Sequence, residues 1–124
     1  MDSNAVIYFL AGGLPNSANI AIENKINANQ IAISDVTKME ILGFNFPDPA
    51  EELSFINFVN AVDVIPINQS IVNQTIEFRK MKKIKLPDAI IAATVHSEQL
   101  DIITRNTADF NGLGLTCINP FTDL

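Results

Sequence analysis

Residues 86–104 read Leu-Pro-Asp-Ala-Ile-Ile-Ala-Ala-Thr-Val-His-Ser-Glu-Gln-Leu-Asp-Ile-Ile-Thr. Pro87 suits the first turn of a helix, where its missing N–H leaves no bond unmade. From Asp88 to about Gln99 apolar residues fall on most faces, which predicts a buried helix. Leu100–Thr104 is short and partly β-branched, which predicts a strand. The same alternation runs outward in both directions. Ile31–Ile33 is a short apolar run followed by Ser34 and Asp35, both good helix N-caps, and the helix they open stops at Gly43. Pro47-Asp48-Pro49 breaks the chain and starts a helix to about Asn60, with Leu53, Ile56 and Val59 at helical spacing and Phe55 and Phe58 beside them. Val62–Ile67 alternates as a strand with Pro66 at its edge or end. A helix follows from Gln69 to about Lys83, carrying Ile71, Val72, Ile76 and Phe78, and Leu115–Ile118 is a last strand. Strands alternating with helices predict an α/β sandwich around a mostly parallel sheet.

Composition narrows the chemistry. The chain has 124 residues, 48% hydrophobic and 18% charged, which predicts one folded domain over residues 1–124 and excludes intrinsic disorder. No apolar run reaches the roughly 18 residues of a membrane span, and no signal-peptide pattern opens the chain. Cys117 is the only cysteine, so no internal disulfide forms and a reducing, cytoplasmic setting is expected. His96 is the only histidine, and one His with one Cys cannot build the usual tetrahedral zinc site. A catalytic triad on His96 has no support in the sequence. An enzyme of this composition would work through carboxylates.

In an α/β sheet, ligands sit outside the carboxyl ends of the strands, so polar residues at strand-to-helix junctions are the candidates. Four segments qualify: Asp2-Ser3-Asn4, Ser34 with Glu40, Leu86-Pro87-Asp88, and Thr104 to Phe110. Glu40, between Met39 and Ile41-Leu42, is placed near the apolar side of its helix. Each acid also has a plainer reading. Asp88 is a good first-turn residue for free N–H groups and the helix dipole, Asp109 a turn residue, and Asp2 a solvated terminus.

Taken in order, the segments Asp-Ser-Asn, Ser34-x-x-Thr37-x-x-Glu40, Leu-Pro-Asp-Ala-Ile-Ile-Ala-Ala-Thr and Thr-Arg-Asn-Thr-x-Asp-Phe resemble the PIN-domain proteins of the toxin type. These are the VapC-like ribonucleases of bacterial and archaeal toxin–antitoxin pairs, and the likeness spans almost the whole chain. It implies a three-layer α/β/α sandwich with a central parallel sheet and acids converging on one or two Mg²⁺ or Mn²⁺ ions. By motif position the catalytic acids are Asp2, Glu40, Asp88 and Asp109, and Asp2, Asp88 and Asp109 ligate metal. Asn106 stands where many relatives have an acid, so it or Asp109 completes the ligand set. Asn4 resembles an asparagine that orients the first aspartate, and Thr104 a hydroxyl lining the pocket. The resemblance further implies an RNA substrate, an inhibitory antitoxin and a homodimer. It also makes Ala5–Leu10 helical, although propensity alone favours a strand there.

The physical logic agrees. Several carboxylates in one cleft repel one another, and a hard, oxygen-seeking cation relieves that repulsion. The net charge of −6 argues against non-specific nucleic-acid binding, yet Arg79, Lys80, Lys82, Lys83 and Lys85 form a local basic ridge just before Asp88. It reads either as a solvated helix C-terminus or as a track for RNA phosphates, joined by Arg105. His96 lies about two helical turns from Asp88, roughly 12 Å along the axis, and is expected to be structural. Phe44, Phe46, Phe55 and Phe58 are expected in the core or on a face that meets a partner.

Only Met1 precedes Asp2, whereas relatives usually carry several apolar residues there. Either the native start lies upstream or the first strand is truncated; in the second case it is expected as a stub or missing from the sheet, with Asp2 poorly anchored. Ser3 replaces a commoner threonine. The other readings are a non-catalytic PIN-fold binding or scaffold module and, more weakly, a receiver-like or phosphatase-like domain. The last lacks an Asp-x-Asp motif after an apolar strand.

Overall fold

A computed structural model describes residues 1–124, in which helices and short strands alternate along the chain. Helix α1 (Ser3–Leu10) is followed by α2 (Asn16–Asn27), β1 (Ala32–Ser34), α3 (Asp35–Leu42), α4 (Pro49–Ala61) and β2 (Asp63–Ile65). Then come α5 (Gln69–Met81), α6 (Leu86–Ser97), β3 (Ile102–Ile103), α7 (Thr107–Phe110) and β4 (Cys117–Ile118). None of the helices is long and apolar enough to cross a membrane.

The caps explain most of the boundaries. Asp2, Ser34, Asp48 and Asn68 each accept a backbone N–H with their side chains at the starts of α1, α3, α4 and α5. Gly43 ends α3 as expected. Ala5–Leu10 is helical, as the family resemblance implied, because Asp2 caps it. Helix α2 lies where the sequence reading assigned no element. It has no side-chain cap and a weakly patterned surface, and it is held by burial of Ala18 and Ile22.

The strands form two parallel ladders, β1 with β2 and β3 with β4. Met1 and Asp2 join them. The Met1 α-amino group donates to Ala32 O of β1 at 3.0 Å, and the Asp2 N–H donates to Ile103 O of β3 at 3.1 Å. These two residues stand between β1 and β3 without forming a strand of their own. Beyond Met1 the facing edges of β1 and β3 line a cavity of about 290 Å³, floored by Ile91, Thr94 and Val95 of α6.

Alternation of side chains along the strands gives the sandwich its two cores. Ile33 and Ile103 pack with Val6, Ile22, Phe55 and Phe58 on one face. Ile102 packs with Ile71, Phe78, Ile91 and Phe110 on the other. This is the expected three-layer α/β/α arrangement. Two helix faces differ from expectation. On α4, Phe55, Phe58 and Val59 are buried while Leu53 and Ile56 are exposed. On α5, Thr75 replaces Ile76 and Val72 in the buried stripe, and its hydroxyl is satisfied by Ile71 O. Phe44 is also exposed, but it packs edge-on to Phe46, which in turn meets Phe55.

Candidate active site

Asp2, Glu40, Asp88, Asp109 and Asn106 line one small cleft of about 160 Å³, together with Ser3, Asn4, Lys85 and Phe110. The fold explains the convergence. Asp2 stands between the two ladders, Glu40 comes from the helix after β1, and Asn106 and Asp109 come from the segment after β3. Asp88 enters from the first turn of α6. The acids therefore meet at the carboxyl ends of the strands, where parallel sheets place their ligands.

Asp2 is the most firmly held. Its Oδ1 accepts the Ala5 N–H at 2.9 Å, and its Oδ2 accepts the hydroxyl of Thr104, which is fully buried. The expectation of a poorly anchored Asp2 is therefore corrected: two donors and a backbone bond to β3 compensate for the short strand. Burial still raises the Asp2 pKa, with a further push from Glu40, against the pull of Thr104, Ala5 and the α-amino group. Burial of that amino group lowers its own pKa from 8.0 to about 6, against the opposing pull of Asp2.

Glu40 is exposed on the cleft wall rather than set against the apolar side of α3, where Ile41 takes the core position. Its Oε1 accepts the Ser3 hydroxyl, which stands 3.3 Å from that of Thr37. Ser3 thus positions Glu40, a role the sequence reading missed although the Asp-Ser-Asn segment signalled its place. Asp88 does not serve as a side-chain cap, since α6 starts at Leu86 without one. Its pKa is raised by burial first, then by the charges of Asp109, Asp2 and Glu40, with Lys85 opposing. Asn4 lines the cleft but is exposed, and Thr104 and the Ala5 N–H hold Asp2 in its stead. Asn106 opens α7 without using its side chain as a cap, so its amide is available to the cleft.

The basic ridge divides. Lys82, Lys83 and Lys85 share a depression with Asp88 and Asp109, whereas Arg79 and Lys80 stay on the exposed end of α5, Lys80 beside Glu77 at 3.6 Å. Lys82 donates to Ala108 O and Asn111 O at 3.0 and 2.9 Å. Arg105 lies 4.4 Å from the Phe121 ring centroid and 5.4 Å from that of Tyr8, and donates to the Tyr8 hydroxyl. No sequence signal joins residues so far apart in the chain. His96 is exposed, edge-on to Phe78 with centroids 5.6 Å apart, and lines no part of the cleft.

The donor set fits a divalent cation in kind: all are oxygen ligands, and three carboxylates raise the pKa of a fourth. As placed, no three of the acids stand close enough to enclose an ion. A cation would have to draw them inward.

Fold and cleft together define an α/β protein with carboxylates gathered at the carboxyl edge of a parallel sheet. Residues 1–113 match the PIN domain family. The chain belongs to that family, whose members are typically nucleases and generally use divalent metal ions. No curated protein matches it. Among solved structures it is similar to a toxin–antitoxin complex from Klebsiella pneumoniae, with 30% identity, 97% of this chain and 95% of that one covered, and a TM-score of 0.75. It shares its fold with VapBC2 from Rickettsia felis bound to a promoter DNA fragment (20% identity, 95% of each chain, TM-score 0.80). The same holds for DNA-bound VapBC from Salmonella typhimurium (22% identity, 96% and 95% covered, TM-score 0.75).

Proposed function

We propose that residues 1–124 act as a single domain, a Mg²⁺- or Mn²⁺-dependent endoribonuclease that is the toxin of a toxin–antitoxin pair. The observation that carries this is the convergence of Asp2, Glu40, Asp88 and Asp109 on one cleft, with the Asp88 pKa raised in part by the other three. Those acids and Asn106 would hold the ion. When bound, a divalent ion supplies a water made nucleophilic near neutral pH and offsets charge on the phosphate oxygens. The chain's own residues do the rest. Thr104 and the Ala5 N–H aim Asp2 and oppose the rise in its pKa, and Ser3 turns Glu40 into the cleft. Lys83 and Lys85 flank the acids with positive charge, so an RNA backbone is not repelled. Arg79, Lys80 and the stacked Arg105 extend that field.

The toxin role rests on the similarity to toxin–antitoxin complexes. Exposed apolar side chains on α3 to α4 (Met39, Phe44, Leu53, Ile56) and on α5 (Val72, Ile76) support a chain covered by partners: a cognate antitoxin and a second copy of itself, in the cytoplasm. The wide spacing of the acids favours a second reading, a PIN-fold binding module without catalysis.

One assay separates them. Purified protein is expected to cleave single-stranded RNA with Mn²⁺ or Mg²⁺, to stop with EDTA, and to lose cleavage in Asp88→Asn. Equal cleavage by the Asp88→Asn protein would remove the catalytic assignment. Binding of RNA without cleavage under every metal would establish the module.

A further inference from the structure

Helix α7 is a single turn, Thr107–Phe110, too short to persist through its own hydrogen bonds. It nevertheless carries Asp109, and Asn106 opens it. Its front is tied to Asp2, because Thr104 Oγ1 accepts the Asn106 N–H at 3.0 Å while donating to the Asp2 carboxylate. Phe110, its last residue and 1% exposed, roots it in the core. At its back, Ala108 O and Asn111 O both accept from one ammonium, that of Lys82. The backbone of Lys82 ends α5 by donating to Phe78 O. One residue therefore closes α5 with its main chain and α7 with its side chain.

We infer that Lys82 is a positioning residue of the acidic cleft, clamping the C-terminal carbonyls of α7 so that Asp109 and Asn106 face Asp2 and Asp88. The inference rests on the metal-site reading above. It separates Lys82 from Lys83 and Lys85, whose ammonium groups make no such bonds and remain for phosphate. A cation at a helix C-terminus also favours the dipole of that turn. Lys82 thus acts through α7 and touches neither metal nor RNA.

The test uses the full chain as Lys82→Met, which keeps the apolar stem and removes the charge, beside Lys82→Arg and Lys83→Met. In metal-free protein, Lys82→Met is expected to speed amide exchange of Asp109 and Asn111 by about tenfold while the α6 amides stay unchanged. Its Mn²⁺ dissociation constant, read by electron paramagnetic resonance, is expected to rise about tenfold, and Lys82→Arg to restore both values. The salt dependence of RNA binding is expected to hold in Lys82→Met and to fall by about one unit of slope in Lys83→Met. Wild-type exchange and Mn²⁺ affinity in Lys82→Met would overturn the inference. So would a slope loss equal to that of Lys83→Met. If the wild type itself takes up no Mn²⁺, the metal-site reading fails, and the exchange of Asp109 and Asn111 still decides whether the clamp exists.

Discussion

At Asp88 two effects favour the same protonation state: the carboxyl is partly removed from water and faces three other acids. Replacing it with asparagine removes one charge from that group. In the metal-free protein, Asp88→Asn is expected to raise Tm by about 2–5 °C. Saturating Mn²⁺ is expected to reverse the order, because a ligand held at a hundred times its Kd adds about 2.7 kcal/mol to the protein that binds it. Differential scanning calorimetry with and without Mn²⁺ reads both effects. The pH dependence follows the same sign. Asp2 and Asp88 both have raised pKa values, so their protons are held more tightly in the folded state. Their stabilising contribution is full below the unfolded value near 3.8 and is lost as pH rises through the folded values. Urea midpoints of metal-free protein are expected to show this decline as pH rises above 4, and Mn²⁺ to flatten it.

The elements were legible wherever a local rule decided them. Ser34, Asp48 with Pro49, and Gly43 mark helix ends because capping acts within a few residues, and each stands at its expected boundary. Gly43 also offers an element-scale test: a Cβ there would lie 2.6 Å from Met39 O, so the end of α3 must shift to admit one. Gly43→Ala is expected to cost about 1–3 kcal/mol in urea unfolding and to weaken Mn²⁺ binding, since the same turn carries Glu40. Elements fixed by distant contacts were not legible. Helix α2 has no side-chain cap and only a faint stripe, and its place is set by packing of Ala18 and Ile22 on the first core. The cleft followed the same division. The family resemblance pointed to the four acids that line the cleft, but the bonds around them span the chain: Thr104 to Asp2, Ser3 to Glu40, Lys82 to Ala108.

Across the whole molecule, the two ladders are joined at Met1 and Asp2. With its amino terminus free, the chain is expected to gain stability from pH 6 to 8. The Met1 ammonium gives up its proton at about pH 6 when folded and near 8.0 otherwise, so the unfolded state binds more protons in that window. The gap corresponds to about 3 kcal/mol, and acetylating the terminus is expected to abolish the slope in thermal melts at pH 6, 7 and 8.

That joint also lies on the line that divides the acids. Glu40 belongs to the body built on β1, Asp109 to the body built on β3, and Asp2 is the stitch between them. A breathing chain whose stitch is undone loses the seat of Asp2, and with it the residue that stands between Glu40 and Asp109. The sheet is thus its own safety catch: the blade keeps its edge only while the handle is closed.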